Sequence, residues 1–128
     1  GMLQDHSTSN PVTLSQKGAI TALAFGDDYV RQLKAQFEAK RNRILELAKQ
    51  IPQLDPFTPE GAFYLFLSVQ KTGMKPADFC RRLLEEKFVA TIPGEGFGFA
   101  DGVRLSFAAS VADIDEGLRR IREWIAQA

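Results

Sequence analysis

Arg104 stands in the stretch GVRLSFAAS, residues 102–110. Alternation puts Val103, Leu105 and Phe107 on one face of a strand and Arg104, Ser106 and Ala108 on the other. A guanidinium so placed has two uses. It can sit in water or pair with a surface carboxylate of its own chain. Alternatively it can clamp a ligand carboxylate, because its planar, permanently charged fork matches two carboxylate oxygens and a strand holds it rigid. The spacing leaves both readings open. Just upstream, PGEGFG (residues 93–98) is a glycine-rich loop. Backbone N–H groups in such a loop can cradle a phosphate. This one precedes a strand and not a helix N-terminus, so it is neither a P-loop nor a dinucleotide fingerprint. The competing reading is a strand–strand connection whose glycines permit positive φ.

Other reactive side chains are sparse. His6 and Cys80 are the single histidine and the single cysteine, which leaves no nitrogen–sulfur ligand set for a metal. His6 reads as a surface histidine in the N-terminal segment. Cys80, between Phe79 and Arg81, reads as a small core or boundary residue in preference to a reactive thiol. One cysteine allows no internal disulfide and points to a reducing, cytoplasmic setting. Sixteen basic and sixteen acidic residues give a formal net charge of zero, which removes the overall attraction a nucleic-acid binder normally uses. No apolar run approaches the ~20 residues needed to span a bilayer, so neither nucleic acid nor membrane is an expected partner. The opening GMLQDHSTSN lacks the basic and apolar regions of a signal peptide, and Gly1 before Met2 reads as a cloning remnant.

The elements that must position these groups follow from periodicity. At 128 residues, 45% hydrophobic and 25% charged, the chain suits one modest globular domain. Ser9 and Asn10 are candidate N-caps, with Pro11 at the first helical position of a helix to about Ala24. Gly26 breaks it, and Asp27 or Asp28 caps a long second helix. There Val30, Leu33, Phe37, Ile44, Leu47 and Ile51 form the apolar stripe, and Lys34, Lys40, Arg41 and Arg43 the solvated side. QLDPFTPEG is a proline-rich turn. AFYLFLSV is a strand with apolar residues on both faces, which predicts cover on both sides. KPADFCRRLLEEK is an amphipathic helix with Phe79, Leu83 and Leu84 inward. FVATI is a short strand. Ser110 or Asp113 caps a last helix with Ile114, Leu118, Ile121 and Ile125 as its core stripe. The order α-α-β-α-β-β-α predicts an α+β fold with a small, mostly antiparallel sheet covered by helices.

Four pieces, HSTSNPVTLSQKGAITAL, PEGAFYLFLS, FVATIPGEGFG and VRLSFAAS, resemble in order and spacing the C-terminal part of class I aminotransferases. These are fold-type I pyridoxal-phosphate enzymes of the aspartate aminotransferase family. The resemblance runs from Leu3 to Trp124 and implies the aminotransferase small-domain fold for residues 27–128. It implies that residues 1–26 are a segment and helix that pack on a large domain. Arg104 then inherits the binding of the substrate α-carboxylate. Ser9 and Asn10 inherit a place near the active site of a partner subunit. Gly96 and Phe97 inherit the loop that borders the substrate entrance, whereas Phe63 and Tyr64 read as packing.

The family's cofactor lysine lies in a serine–lysine segment followed by glycine and arginine, and none of Lys17, Lys34, Lys40, Lys49, Lys71, Lys75 or Lys87 has that context. The family's partner for the pyridine nitrogen and its parallel-sheet domain also lie outside the resemblance. A Schiff-base lysine and a ring-nitrogen partner are indispensable to the chemistry. The expectation is therefore a substrate-carboxylate-binding fragment, inactive alone and without bound pyridoxal phosphate. Its parent reaction moves an amino group between an amino acid such as aspartate and a 2-oxo acid, and it self-associates through the N-terminal helix. The alternative is a stand-alone small-molecule-binding or interaction module built on the same fold.

Overall fold

The computed structural model describes residues 2–8 and 10–127. The chain divides into two compact units, Gly1–Ala35 and Gln36–Ala128. The first contains α1 (Met2–Ser7), α2 (Thr13–Phe25) and the start of α3 (Asp27–Lys49). The expected caps of α2 fall short of its start. The helix begins at Thr13 after an extended Val12, no side chain caps it, and Pro11 lies ahead of it with its carbonyl accepting the Gln16 amide. Ser9 lies outside the described residues. α2 carries no buried residue. Its hydrophobic side chains, Leu14, Ile20, Leu23 and Phe25, are all well exposed. A single residue, Gly26, joins α2 to α3, and a Cβ there would lie 2.3 Å from the Ala22 carbonyl oxygen.

The second unit is built on a four-stranded sheet of order β1-β2-β4-β3, in which every pair is antiparallel. The strands are β1 (Asp55–Pro56), β2 (Tyr64–Ser68), β3 (Ile92–Pro93) and β4 (Gly102–Ser106). Both edge strands are two residues long and contain a proline, which leaves little unpaired edge for another chain to extend. β3 is thus a remnant of the expected FVATI strand. α4 (Pro76–Lys87) ends at Phe88 with φ +57°, and residues 88–91 stay outside the ladder.

Leu65 and Leu67 of β2 and Val103 and Leu105 of β4 point into one core. On that face lie the C-terminal half of α3 (Ile44, Leu45, Ala48), α4 (Phe79, Cys80, Leu83) and α5 (Val111–Ile125; Ile114, Leu118, Ile121, Trp124, Ile125). The apolar stripe of α3 is therefore buried in its second half, while Val30 and Leu33 are exposed. Leu84, expected inward on α4, is 50% exposed, one helical step off the buried Phe79–Leu83 row. The other face of the sheet has a different cover, described below.

Polar contacts fix how the helices dock. Ser110 caps α5 reciprocally: its Oγ accepts from the Asp113 backbone N–H at 3.1 Å and donates to the Asp113 carboxylate at 2.6 Å. Arg43 of α3 holds Asp115 of α5 through two bonds, at 2.8 and 3.2 Å. The Trp124 indole N–H donates to Glu86 at 2.6 Å, and its ring meets Phe79 edge-on. Arg120 donates to the Lys87 carbonyl at the end of α4. Among the described residues no helix is long and apolar enough to cross a membrane.

Two glycines give opposite expectations. A Cβ on Gly102 would lie 2.0 Å from the Phe99 ring and 2.4 Å from the Leu67 carbonyl oxygen, and the backbone oxygen cannot yield. Gly102→Ala is expected to destabilise by about 1–3 kcal/mol. Gly117, inside α5, has open space around it. Gly117→Ala is expected to stabilise by up to about 1 kcal/mol. Urea denaturation of both variants checks the pair.

Acid should loosen the helix docking. Bonds from Arg119 and then Arg120 hold the Glu116 carboxyl down at about 2. Arg82 and then Trp124 depress Glu86, and Arg43 depresses Asp115. Carboxyls depressed in the folded state stabilise it fully above their unfolded values and lose that contribution as pH falls through the folded ones. Stability is therefore expected to fall as pH drops from the ordinary glutamate value of 4.5 toward about 2. Circular dichroism melts across that range measure it.

Candidate functional site

β4 carries Arg104 on the sheet face opposite Val103 and Leu105, between Phe66 of β2 and Ile92 of β3 as cross-strand neighbours. Its guanidinium carbon lies 4.1 Å from the centre of the Tyr64 ring and 4.0 Å from the centre of the Phe97 ring. Among the described residues no carboxylate lies within 4.0 Å of Arg104, and its side chain makes no hydrogen bond. The internal ion pair that the sequence left open is therefore not formed. Neither is a polar atom of this side chain buried without a partner. Arg104 thus keeps two stacked rings and an N–H edge open to solvent.

The cover of this face is aromatic. Phe66 meets Phe97 and Phe99 edge-on at 5.9 and 6.1 Å, and Phe99 meets Phe57 at 5.2 Å. The apolar second face of AFYLFLSV is accordingly covered, but by side chains of loops and not by a helix.

PGEGFG forms a 3-10 turn, Gly94–Phe97, on the connection from β3 to β4. The N–H groups of Gly98 and Phe99 are spent inside it, on the carbonyls of Glu95 and Gly94 at 3.0 Å each. Gly94 is buried, and a Cβ there would meet the Phe99 carbonyl oxygen at 2.4 Å and that of Gly102 at 2.8 Å. Gly98 sits at φ +77°. The turn lies so close to the sheet that only hydrogen fits at Gly94 and Gly102, and this seats Phe97 on Arg104. The expectation of a strand–strand connection holds.

The structure brings Arg104 and Phe97 together, with Gly96 exposed in the same turn. Asn10 is exposed in the first unit. Tyr64, read from sequence as packing, packs on Phe63 at 4.5 Å and also lies under the Arg104 guanidinium, a contact not read from the sequence. The available signal was register: in an antiparallel β2–β4 pair, Tyr64 and Phe66 share a face with Arg104.

Other features are accounted for without a ligand. Cys80 is buried, accepts a hydrogen bond from Thr91 at 3.1 Å, and burial pushes its thiol pKa up, away from reactivity. His6 is exposed on α1. A cleft of about 350 Å³ opens between residues 88–90 and the first turns of α5, but Arg104 does not line it. Its rim charges are satisfied internally, Glu116 by Arg119 and Arg120 and Asp113 by Ser110.

A guanidinium with no carboxylate of its own chain beside it is chemically suited to a carboxylate. The residues around Arg104 do not fit a seat for pyridoxal phosphate. None of the seven lysines is buried, so none has the shielded setting of a Schiff-base amine, and no acid stands by Arg104 to meet a pyridine nitrogen.

Comparison with known proteins bears on the family. Residues 2–121 match the family model described as "Aminotransferase class I and II". The chain is 40% identical to an aspartate aminotransferase of Bacillus subtilis, over 96% of this chain and 33% of that protein. It is 37% identical to a probable aspartate/prephenate aminotransferase of Rickettsia felis, over 94% of this chain and 32% of that protein. The crystal structure of the aspartate aminotransferase from Rhizobium meliloti superposes with a TM-score of 0.91 at 32% identity, over 98% of this chain and 34% of that one. An aromatic aminotransferase from Pyrococcus horikoshii gives the same TM-score at 27% identity, over 98% of this chain and 34% of that one. The chain spans about a third of the length of the relatives it matches. With residues 2–121 of 128 inside the family model, this chain belongs to the class I and II aminotransferases.

Proposed function

We propose that this chain is the C-terminal, substrate-carboxylate-binding portion of an aminotransferase, with Arg104 holding the α-carboxylate. The parent reaction is transfer of an amino group between an amino acid such as aspartate and a 2-oxo acid. The observation that carries the reading is Arg104 itself. It is a permanent cation on a central strand, lying over two rings, with no carboxylate within 4.0 Å among the described residues. A structural arginine on a half-buried strand is normally paired. A planar guanidinium with free in-plane donors matches a carboxylate bidentately. Gly96 and Phe97 border the approach to it, and Ser9 and Asn10 belong to a segment that reaches a partner subunit's active site.

Pyridoxal phosphate serves the intact enzymes of this family, and its lysine and ring-nitrogen partner come from outside residues 1–128. Alone, the chain binds the carboxylate and does not transfer the amino group. Residues 1–26 form the segment that packs elsewhere, residues 27–128 form the small domain, and the reduced Cys80 suits a cytoplasmic setting.

Amide chemical shifts recorded during titration of the 128-residue chain with sodium succinate test the reading. Shifts are expected around β4 and the 94–98 turn, and Arg104→Gln should abolish them while moving stability by only about 1 kcal/mol, the worth of its ring contacts. Removing one member of a buried ion pair would instead cost about 3–5 kcal/mol. Equal succinate binding by Arg104→Gln overturns the reading. In the same preparation, added pyridoxal phosphate, aspartate and 2-oxoglutarate should give no turnover. A stoichiometric lysine adduct abolished by one lysine substitution would show that the chain seats the cofactor after all.

Self-association follows from α2. α2 has no buried residue and leaves Leu14, Ile20, Leu23 and Phe25 exposed, an amount of bare apolar surface that favours cover by a partner. Covering apolar area is worth roughly 25 cal/mol per Å² before the costs of association. The full chain is therefore expected to form dimers or larger species at micromolar concentration, and Leu23→Glu to shift it toward monomer. Light scattering distinguishes them, and a monodisperse wild-type monomer sinks the idea.

A further inference from the structure

We propose that Tyr64 and Phe97 are positioning residues for Arg104: together they cover both faces of its guanidinium, fix its plane, and leave only its N–H edge for a ligand carboxylate. The inference rests on the carboxylate reading of Arg104 and adds to it the two residues that make the arginine a directed donor.

Three observations carry it. The first is geometry: the guanidinium carbon lies over the Tyr64 ring at 4.1 Å from its centre and over the Phe97 ring at 4.0 Å, so two aromatic faces meet one planar cation. The second is that burial does not explain Phe97. It is 49% exposed, in a turn, where a phenylalanine gains little from being hidden, yet its ring lies on the one unpaired strand cation. The third is how the turn is seated. Any side chain at Gly94 or Gly102 would collide with backbone oxygens, at 2.4 Å in each case, so the 94–98 turn lies directly on the sheet. Phe66 braces the ring from the side at 5.9 Å. Tyr64, on β2, is fixed by the antiparallel ladder that places Phe66 opposite Arg104.

The physical consequence is directional. An arginine has several rotatable bonds, and free in water it offers donors in every direction. Stacked on both faces, it offers them only in its own plane. A carboxylate arriving in that plane finds two parallel donors already aligned, and less freedom is lost on binding. Tyr64 comes from a rigid strand and Phe97 from a turn, so the first sets the plane and the second closes over it.

The test uses the 128-residue chain with arginine side chains labelled with nitrogen-15. Ring currents from both faces should place the Arg104 Hε resonance well upfield of solvent-exposed arginines. Phe97→Leu and Tyr64→Leu are each expected to return it toward the exposed position and to weaken succinate binding about fivefold. The conservative variants Phe97→Tyr and Tyr64→Phe should keep both the shift and the affinity. Unchanged amide resonances for Leu65, Leu67, Val103 and Leu105 show that each variant is folded, and Phe97→Leu, on an exposed turn, provides the test if Tyr64→Leu does not fold. An Hε resonance that stays at its wild-type position in Phe97→Leu overturns the inference. So does a moved resonance with unaltered succinate affinity. Failure of the carboxylate reading itself looks different: Arg104→Gln then binds succinate as the wild type does.

Discussion

Everything at this site depends on the register of β4 between β2 and β3. Arg104 lies opposite Phe66 on one side and Ile92 on the other. That pairing sends Val103 and Leu105 into the core and Arg104 to the aromatic face. Because side chains alternate, a slip of one residue would turn the guanidinium into the hydrophobic core and turn Val103 and Leu105 out of it. The cost of burying an unpaired charge fixes the register more strongly than any hydrogen bond of the ladder. The same cation that would recognise a ligand therefore also specifies the fold. Its charge forbids the alternative pairing.

The aromatic face is the second consequence of that register. With Arg104 on it, the face cannot be closed by an apolar helix in the way the other face is. Rings offer an alternative cover, since their faces accept a cation and their edges accept one another. The array of Phe57, Phe66, Phe97 and Phe99 is edge-to-face throughout. Gly94 and Gly102 make the array possible by letting backbone approach backbone, which no other residue type would allow.

Periodicity made the sheet's two central strands, the core stripe of α5 and the direction of Arg104 legible in the sequence. These share a cause: each is decided by alternation or by a helical repeat between a buried and an exposed face. What was not legible was decided by contacts distant in the chain. The edge strand β1 is two residues, one of them Pro56, and exists only because Asp55 and Pro56 find Ser68 and Leu67. Residues 88–91 carry strand-forming side chains, but the left-handed Phe88 at the end of α4 diverts the chain, and pairing begins only at Ile92. Leu84 looked as inward as Leu83, and its exposure follows from how α4 is rotated about Phe79 and Trp124. Tyr64 was read as packing for a related reason. A single strand shows which residues share a face, but only the paired sheet shows that this face holds the arginine.

Trp124 gives the molecule an optical property of its own. It is the chain's single tryptophan, and it lies in the second unit, buried edge-on to Phe79, with its indole N–H on Glu86 and the Arg82 guanidinium above its ring. Its emission therefore senses the seam between α4 and α5, through a carboxylate and a cation within contact distance. The helical dichroism of the chain, by contrast, includes the thirteen residues of α2. The two signals weigh different halves of the molecule. Their coincidence or divergence during unfolding becomes a direct reading of whether the halves behave as one cooperative body or as two.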